Sequence, residues 1–276
     1  MPKVTVGLLL DGEQAGKIAA LVLALLGQQE LSLQSIQSFS PVFAALAAYL
    51  IGSLSFAVIV SRVMGLNDPR TFGSKNPGAT NVLRSGSKAA AIITLLLDAA
   101  KGWLPVLLVK LYGPSYGLGD GTLAMVGLAA FLGHVYPVFF KFAGGKGVAT
   151  ALGVLLGLSG WLGLATALIW LVMALVFRYS SLASITAAVL VPAVYVMGDD
   201  GLWMMNKSVA LAVAVMSIFL LYRHAENINR LIKGTESRLG KKTPGHPVAK
   251  PAEHGHAQHV HHGHKYDHKS SHQHKS

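Results

Sequence analysis

The chain has 276 residues, of which 52% are hydrophobic and only 13% charged, with a mean hydropathy of +0.50 and a formal net charge of +11. Soluble domains carry about 25% charged residues, and the apolar residues here come in long runs rather than at helix or strand periodicity, so the composition sets aside a water-soluble globule in favour of an integral membrane protein. Cysteine is absent, which excludes disulfides, thiolate ligands and a cysteine nucleophile. The positive charge lies in short loops and near the C-terminus, where anionic lipid headgroups and the positive-inside bias account for it without nucleic acid.

In chain order, residues 1–40 read as an N-terminal extension without an assigned role. The apolar stretch Ile18–Leu26 is too short to span, follows Asp11 and Glu13, and does not read as a signal peptide; an interfacial helix and a mis-assigned start both fit. A membrane-embedded domain then covers 41–240. A span needs about 20 mostly apolar residues, and the runs of that kind are Val42–Val60, Ala89–Val109, Leu123–Phe140, Leu182–Met197 and Ser208–Tyr222, with a longer run from Val148 to Val176. Loop charge decides whether that longer run crosses once or twice. With the first span starting outside, the loop of Arg70, Lys75, Arg84 and Lys88 is inside, as is the loop of Lys141 and Lys146. One crossing by 148–176 would then expel Arg178 and the basic tail from Arg223 onward; two crossings keep both inside. The sequence therefore predicts a break near Gly157–Gly160, a short first element of that pair, and an all-α polytopic transmembrane bundle. It has seven hydrophobic elements, an outside N-terminus and a cytoplasmic C-terminus. The tail 241–276 holds ten histidines, among them His254, His256, His259, His261, His262 and His264, with few apolar residues, and is expected to be disordered. Its histidines are irregularly spaced and lack a thiol partner, so metal binding there reads as adventitious.

Three loops on the expected inner side concentrate small, polar and basic residues. In the first, Gly73-Ser74-Lys75-Asn76-Pro77-Gly78-Ala79-Thr80-Asn81 precedes Arg84. Asn-Pro-Gly is a turn signal by itself, while the hydroxyl, amide and guanidinium donors suit phosphate oxygens. The second, Gly144-Gly145-Lys146-Gly147, opens a helix with Thr150 one turn on. Free N–H groups, the positive end of the helix dipole and the Lys146 charge favour an anion; the alternative is a flexible loop with a snorkelling lysine. It is not a Walker loop, because Gly147 stands where Ser or Thr must follow the lysine. The third loop runs from Arg223-His224 through Asn227, Ile228, Asn229, Arg230 and Gly234 to Glu236. His224 and Asn227 share a helix face if the helix continues, and Glu236 is an isolated acid in a basic segment; a juxtamembrane run of solvated charge is the other reading.

Within the spans, Asp98 and Lys101 form an i,i+3 pair that is costly in lipid unless mutually paired, and they read as structural. His134, just before Pro137, reads as a packing or interfacial residue. Ser181 and Ser184 follow Arg178 on the inner side and either line a substrate site or begin a helix.

Taken together, these segments resemble the acyl-phosphate-dependent glycerol-3-phosphate acyltransferases of bacterial phospholipid synthesis. The matching stretches are Gly52-Ser53, Asn76-Pro77-Gly78-Ala79-Thr80-Asn81-Val82-Leu83-Arg84, Asp98 with Lys101-Gly102, Gly133-His134-Val135-Tyr136-Pro137-Val138-Phe139-Phe140, Gly144-Gly145-Lys146-Gly147-Val148-Ala149-Thr150, Ser181-Leu182, and Arg223-His224 with Asn227-Ile228 and Arg230-Leu231. They fall in the family's order between Tyr49 and Glu236. The resemblance implies a multi-pass enzyme of the bacterial cytoplasmic (inner) membrane with no metal or other cofactor. It would move a fatty acyl group from acyl phosphate to the 1-hydroxyl of glycerol 3-phosphate, giving lysophosphatidate and phosphate. It further implies that Ser74, Arg84, Lys146, His224, Asn227 and Glu236 carry the catalytic work. Asn76, Gly78, Thr80, Asn81, Gly144, Gly145, Gly147, Thr150 and Ser181 would bind the substrates. Two departures are visible: Lys75 stands where the family usually has glycine, and Ala143 stands where a lysine commonly precedes the glycine pair, with Lys141 two residues earlier.

The chemistry is coherent, since acyl phosphate is a mixed anhydride with a good leaving group, and the protein need only position two anions and stabilise an oxyanion. No Ser-His-Asp constellation is evident, so the proton of the attacking hydroxyl is expected to go to a phosphate oxygen of the substrate, with His224 and Glu236 as the other acceptors. An acyl-enzyme on Ser74 is the mechanistic alternative. A transporter for small organic phosphates is the alternative function; it would place its anion site near mid-membrane and show internal repeats, and none is seen. The His-x4-Asp spacing of other lipid acyltransferases occurs only by chance, at His262 and Asp267 in the tail.

Overall fold

The computed structural model describes residues 12–240; the histidine-rich segment from 241 onward, with its expected disorder and metal chemistry, lies outside the described residues. The described chain is helical. α1 (Gly12–Gly52) is followed by α2 (Phe56–Val63), the short α3 (Ala79–Leu83), α4 (Lys88–Tyr112), α5 (Asp120–Val135), α6 (Val148–Leu158), α7 (Gly160–Phe177), α8 (Ser180–Met197), α9 (Lys207–Arg223) and α10 (Ala225–Ile232). Four segments are long and apolar enough to cross a membrane: Lys88–Tyr116, Asp120–Phe140, Gly160–Phe177 and Ser180–Met197. Two bent pairs, Ser38–Gly52 with Phe56–Val63 at 40° and Lys207–Arg223 with Ala225–Ile232 at 56°, are long and apolar enough only when each is taken together, and Val148–Leu158 is a shorter apolar helix. Leucines and valines such as Leu96, Leu168, Val172 and Leu175 are exposed on the outside of the bundle, as expected of surface that faces hydrocarbon instead of water.

The break expected near Gly157–Gly160 falls at Ser159, which leaves the helical region (φ −150°, ψ 127°) and caps α7 by accepting from the Leu162 N–H. Lys110 donates to the Leu158 carbonyl that the break frees, at 2.7 Å. Two boundaries differ from expectation. α1 continues unbroken through residue 40, because the polar stretch after Gly27 holds Gln, Glu, Leu and Ser, none of which breaks a helix; at 1.5 Å per residue its 41 residues reach roughly 60 Å, about twice the hydrocarbon thickness. The run Val42–Val60, in turn, is interrupted at 53–55. There Gly52 lies against the α5 backbone, where a Cβ would sit 2.2 Å from the Ala130 carbonyl, and a Cβ on Gly133 would sit 2.3 Å from the Tyr49 carbonyl.

Small residues let the helices approach closely, as membrane packing requires. α4 and α6 meet through Gly153, where a Cβ would lie 1.9 Å from the Ala99 carbonyl, and Gly102, where one would lie 2.3 Å from the Thr150 carbonyl. One core, including Val106, Val126, Phe131, Val154, Leu162 and Val213, runs through α4 to α9. This packing fixes the end of α5 against the start of α6, and the candidate site forms at that junction.

Candidate active site

α5 stops at Val135 because Pro137 disfavours helix at the residue before it. The chain then turns through Lys141 and Phe142, both left-handed at φ 54° and 58°, and delivers Ala143–Gly147 to the N-terminus of α6. The glycines are required by proximity. A Cβ on Gly144 would lie 2.2 Å from the His134 carbonyl, and one on Gly145 would lie 2.2 Å from His134 Nε2 and 2.9 Å from the Pro77 carbonyl; Gly147 has φ +86°. The Gly145 N–H donates to the His134 carbonyl at 3.1 Å, and Arg223 at the end of α9 donates to the carbonyls of Gly144 (2.9 Å) and Gly145 (3.3 Å). That uses the Gly145 N–H, and the N–H groups of the first turn of α6, which have no intrahelical acceptor, would face an anion at the positive end of the helix dipole.

Lys146 donates to the Asn227 carboxamide oxygen. The other end of that carboxamide donates to Glu236 Oε1 at 2.7 Å, Ser181 donates to the same oxygen at 2.7 Å, and Arg230 Nε donates to Oε2 at 2.7 Å. One carboxylate, its side chain 5% exposed, thus ties the glycine loop, α8, α10 and the C-terminal segment together. His224, buried at the α9–α10 bend, has Nδ1 2.8 Å from the Leu220 carbonyl. That nitrogen must carry the proton, leaving Nε2 as the basic one.

The first loop is clamped from inside. Asn81 is 2% exposed and its amide donates to the carbonyls of Pro69 (2.6 Å) and Phe72 (3.2 Å), while its oxygen accepts from the Ser74 N–H at 3.0 Å. Asn81 therefore holds the loop's shape and its amide is not free for substrate. Thr150 is likewise committed, donating to the Asp98 carbonyl at 2.9 Å in full burial. Lys75 has φ 54°, a left-handed conformation that glycine adopts without strain, which gives a physical reason for the residue type the resemblance leads one to expect there. Ser74, Thr80 and Arg84 are exposed, Asn76 and Gly78 partly so; Arg84 donates to the Ser237 hydroxyl at 2.7 Å.

Between these segments lies a cavity of about 370 Å³. Lys75, Lys146, Arg223 and Arg230 line it with a single carboxylate, Glu226, and with the polar groups of Ser74 and Asn76, a set suited to a dianionic ligand. Arg223 and Arg230 were absent from the residues assigned a role on sequence. The signal for them was the spacing Arg223, Asn227, Arg230, which places all three on one face if α9 and α10 are read as one helical path. A second cavity, of about 320 Å³, is lined by Lys110, Asp120, Tyr195, Trp203 and Asn206, none of which belongs to the three loops.

Burial, together with the nearby Arg230 charge, pushes the Lys146 ammonium down to about 8, against partial support from Glu236 and Glu226. The amine is thus charged at pH 7 and neutral above about 8. For a reaction that needs its charge, kcat/KM of the free enzyme is expected to fall about tenfold per pH unit on the alkaline side of 8, and Lys146→Arg is expected to remove that limb while retaining measurable turnover. A pH profile of kcat/KM from 6 to 10 checks this.

A family model described as glycerol-3-phosphate acyltransferase matches residues 42–234. The chain is 74% identical over 215 residues to the glycerol-3-phosphate acyltransferase of Albidiferax ferrireducens, covering 78% of this chain and 96% of that protein. It is 57% identical over 195 residues to the one of Bordetella pertussis, covering 71% and 90%. Crystal structures of PlsY (YgiH), described as an integral membrane glycerol 3-phosphate acyltransferase, superpose on it. The glycerol 3-phosphate form has a TM-score of 0.66 at 42% identity, covering 73% of this chain and 96% of the other; the lysophosphatidic acid form gives 0.65 at 41%, covering 73% and 96%.

Proposed function

The chain belongs to the glycerol-3-phosphate acyltransferase family, and on that premise we propose that it transfers a fatty acyl group from acyl phosphate to the 1-hydroxyl of glycerol 3-phosphate at the cytoplasmic face of a bacterial inner membrane. The observation that carries this reading is the cationic cavity between the glycine loop and the α9–α10 bend, where Lys146, Arg223 and Arg230 stand together. Positive-inside charge supports a topology of seven hydrophobic elements with the N-terminus outside and the site and C-terminus inside.

In the proposed reaction the glycerol hydroxyl oxygen attacks the acyl carbon, the bond from that carbon to the bridging phosphate oxygen breaks, and inorganic phosphate leaves. Lys146 and the first-turn N–H groups of α6 hold the acyl phosphate, Arg84 and Arg223 add positive charge for the second phosphate, and Asn227, fixed by Glu236, keeps Lys146 in place. The hydroxyl proton passes to a phosphate oxygen of the substrate. Transfer is direct, without an acyl-enzyme; His224, whose Nδ1 faces the Leu220 carbonyl so that Nε2 is the basic nitrogen, and Glu236 are the other acceptors for the hydroxyl proton. Purified protein given acyl phosphate and glycerol 3-phosphate is expected to produce lysophosphatidate, and to produce far less with acyl-CoA. No acyl group is expected on Ser74 after mixing with radiolabelled acyl phosphate alone. Preference for acyl-CoA would overturn the donor, and a trapped acyl-serine the direct transfer.

A further inference from the structure

Beneath the glycine loop lies a buried polar cluster that the proposed reaction does not use. Asp98 in α4 is 2% exposed, Lys101 3% and His134 at the end of α5 7%. The Lys101 ammonium lies 2.9 Å from Asp98 Oδ1, donates to the Leu54 carbonyl at 2.6 Å in the α1–α2 break, and sits 5.6 Å from the centre of the Phe56 ring. The same Asp98 oxygen is 3.6 Å from His134 Nδ1, a buried nitrogen without a hydrogen-bond partner among the described residues. The Asp98 backbone carbonyl accepts from Thr150 in the first turn of α6.

For stability alone this cluster is a poor choice, because a buried ion pair is replaced by apolar residues of similar volume at little or no cost, and an unpartnered buried nitrogen costs free energy. What it does accomplish is placement. The opposite edge of the imidazole, Nε2, occupies the volume a Cβ on Gly145 would need, and the His134 carbonyl takes the Gly145 N–H. The carboxylate packs 3.6 Å from Nδ1 on one edge of the ring, and the other edge borders the loop that Arg223 grips from the other side. Asp98 therefore touches α6 through its backbone, the loop through His134, and the α1–α2 break through Lys101, so that one residue registers three elements around the anion site.

We propose that His134, packed between Asp98 and Gly145, is a positioning residue that holds Gly144–Gly147 in the geometry needed for acyl transfer. This rests on the acyl-transfer reading above. A displacement of about 1 Å in such a support can cost roughly a hundredfold in rate, and it acts on the acyl phosphate side of the cavity.

The test uses the full-length protein, assayed first as wild type; failure of the wild type to transfer would remove the acyl-transfer reading itself. His134→Phe is expected to retain its thermal midpoint within a few degrees, to lose roughly 30- to 100-fold in kcat, and to leave KM for glycerol 3-phosphate within twofold. His134→Gln, which can still place an amide near Gly145, is expected to recover part of the loss. The double change Asp98→Asn with Lys101→Met removes both charges while keeping volume, and is expected to fold and to show the same split. Amide exchange at Gly144–Gly147 is expected to quicken in both. Wild-type kcat in folded His134→Phe, an equal change in both KM values accompanying a lowered midpoint, or unfolding of the double variant would each overturn the proposal.

Discussion

Lys146→Ala is expected to lower the rate of acyl transfer by about a thousandfold without lowering the thermal midpoint of the purified protein. The first half follows from position: Lys146 lines the cationic cavity at the start of α6, and removing one well-placed group that stabilises developing charge typically costs a hundred- to a thousandfold. The second half follows from electrostatics. Burial and the Arg230 charge hold the amine at about 8 instead of its ordinary 10.5, so the fold disfavours the very charge that the reaction needs. Truncation relieves that penalty and leaves only the Asn227 carboxamide oxygen without its donor. A loss of rate and of stability together would make Lys146 a structural residue, and unchanged kcat with the fold intact would move the anion site elsewhere. Initial rates with acyl phosphate, with thermal unfolding measured in the same detergent, separate the three results.

The sequence showed some of this architecture directly and hid other parts for physical reasons. Charge in the loops was enough to place the break inside 148–176, because Arg178 and the basic tail could be kept on one side only by two crossings; the chain breaks at Ser159. The Gly144–Gly147 loop was visible from composition, and its glycines are explained by the atoms that touch them. Asn81 and Thr150, expected at the substrate, have side chains engaged within the protein, which was not legible because a sequence gives the chemistry of a side chain but not the face it turns to. His134 read as packing since its partners, Asp98 and Gly145, are separated from it by different distances along the chain. The 53–55 interruption was invisible because it arises from contact between two backbones, at Gly52 and Ala130, which hydropathy does not register. Glu236 stood out as an isolated acid in a basic segment, but its three-way hydrogen bonding became apparent only from the fold.

That carboxylate gives the second large effect. Glu236→Gln keeps the side chain's size yet is expected to reduce kcat by about a hundredfold, because the native group acts only as an acceptor. Ser181 and Asn227 both donate to Oε1 and Arg230 donates to Oε2; a carboxamide replaces one of these oxygens by an NH2, which faces a donor with a donor. If the amide turns toward Asn227, the contact that fixes Lys146 is lost; if it turns toward Arg230, a guanidinium at the cavity loses its carboxylate. Either way an unsatisfied buried donor costs more than the hydrogen bond contributed. The acid side of the stability profile provides a separate readout. Burial opposes the Glu236 charge but is outweighed by the hydrogen bonds from Arg230, Ser181 and Asn227, so the native carboxyl lies below the usual carboxylate range. Its contribution to stability is present above the unfolded-state value near 4.5 and is lost as pH falls through the lowered native value. In Glu236→Gln the dependence of unfolding on pH in that acid window should flatten, while wild type loses stability across it. Parallel acid curves for the two proteins would show that Glu236 is not the clamp joining the C-terminal segment to Lys146.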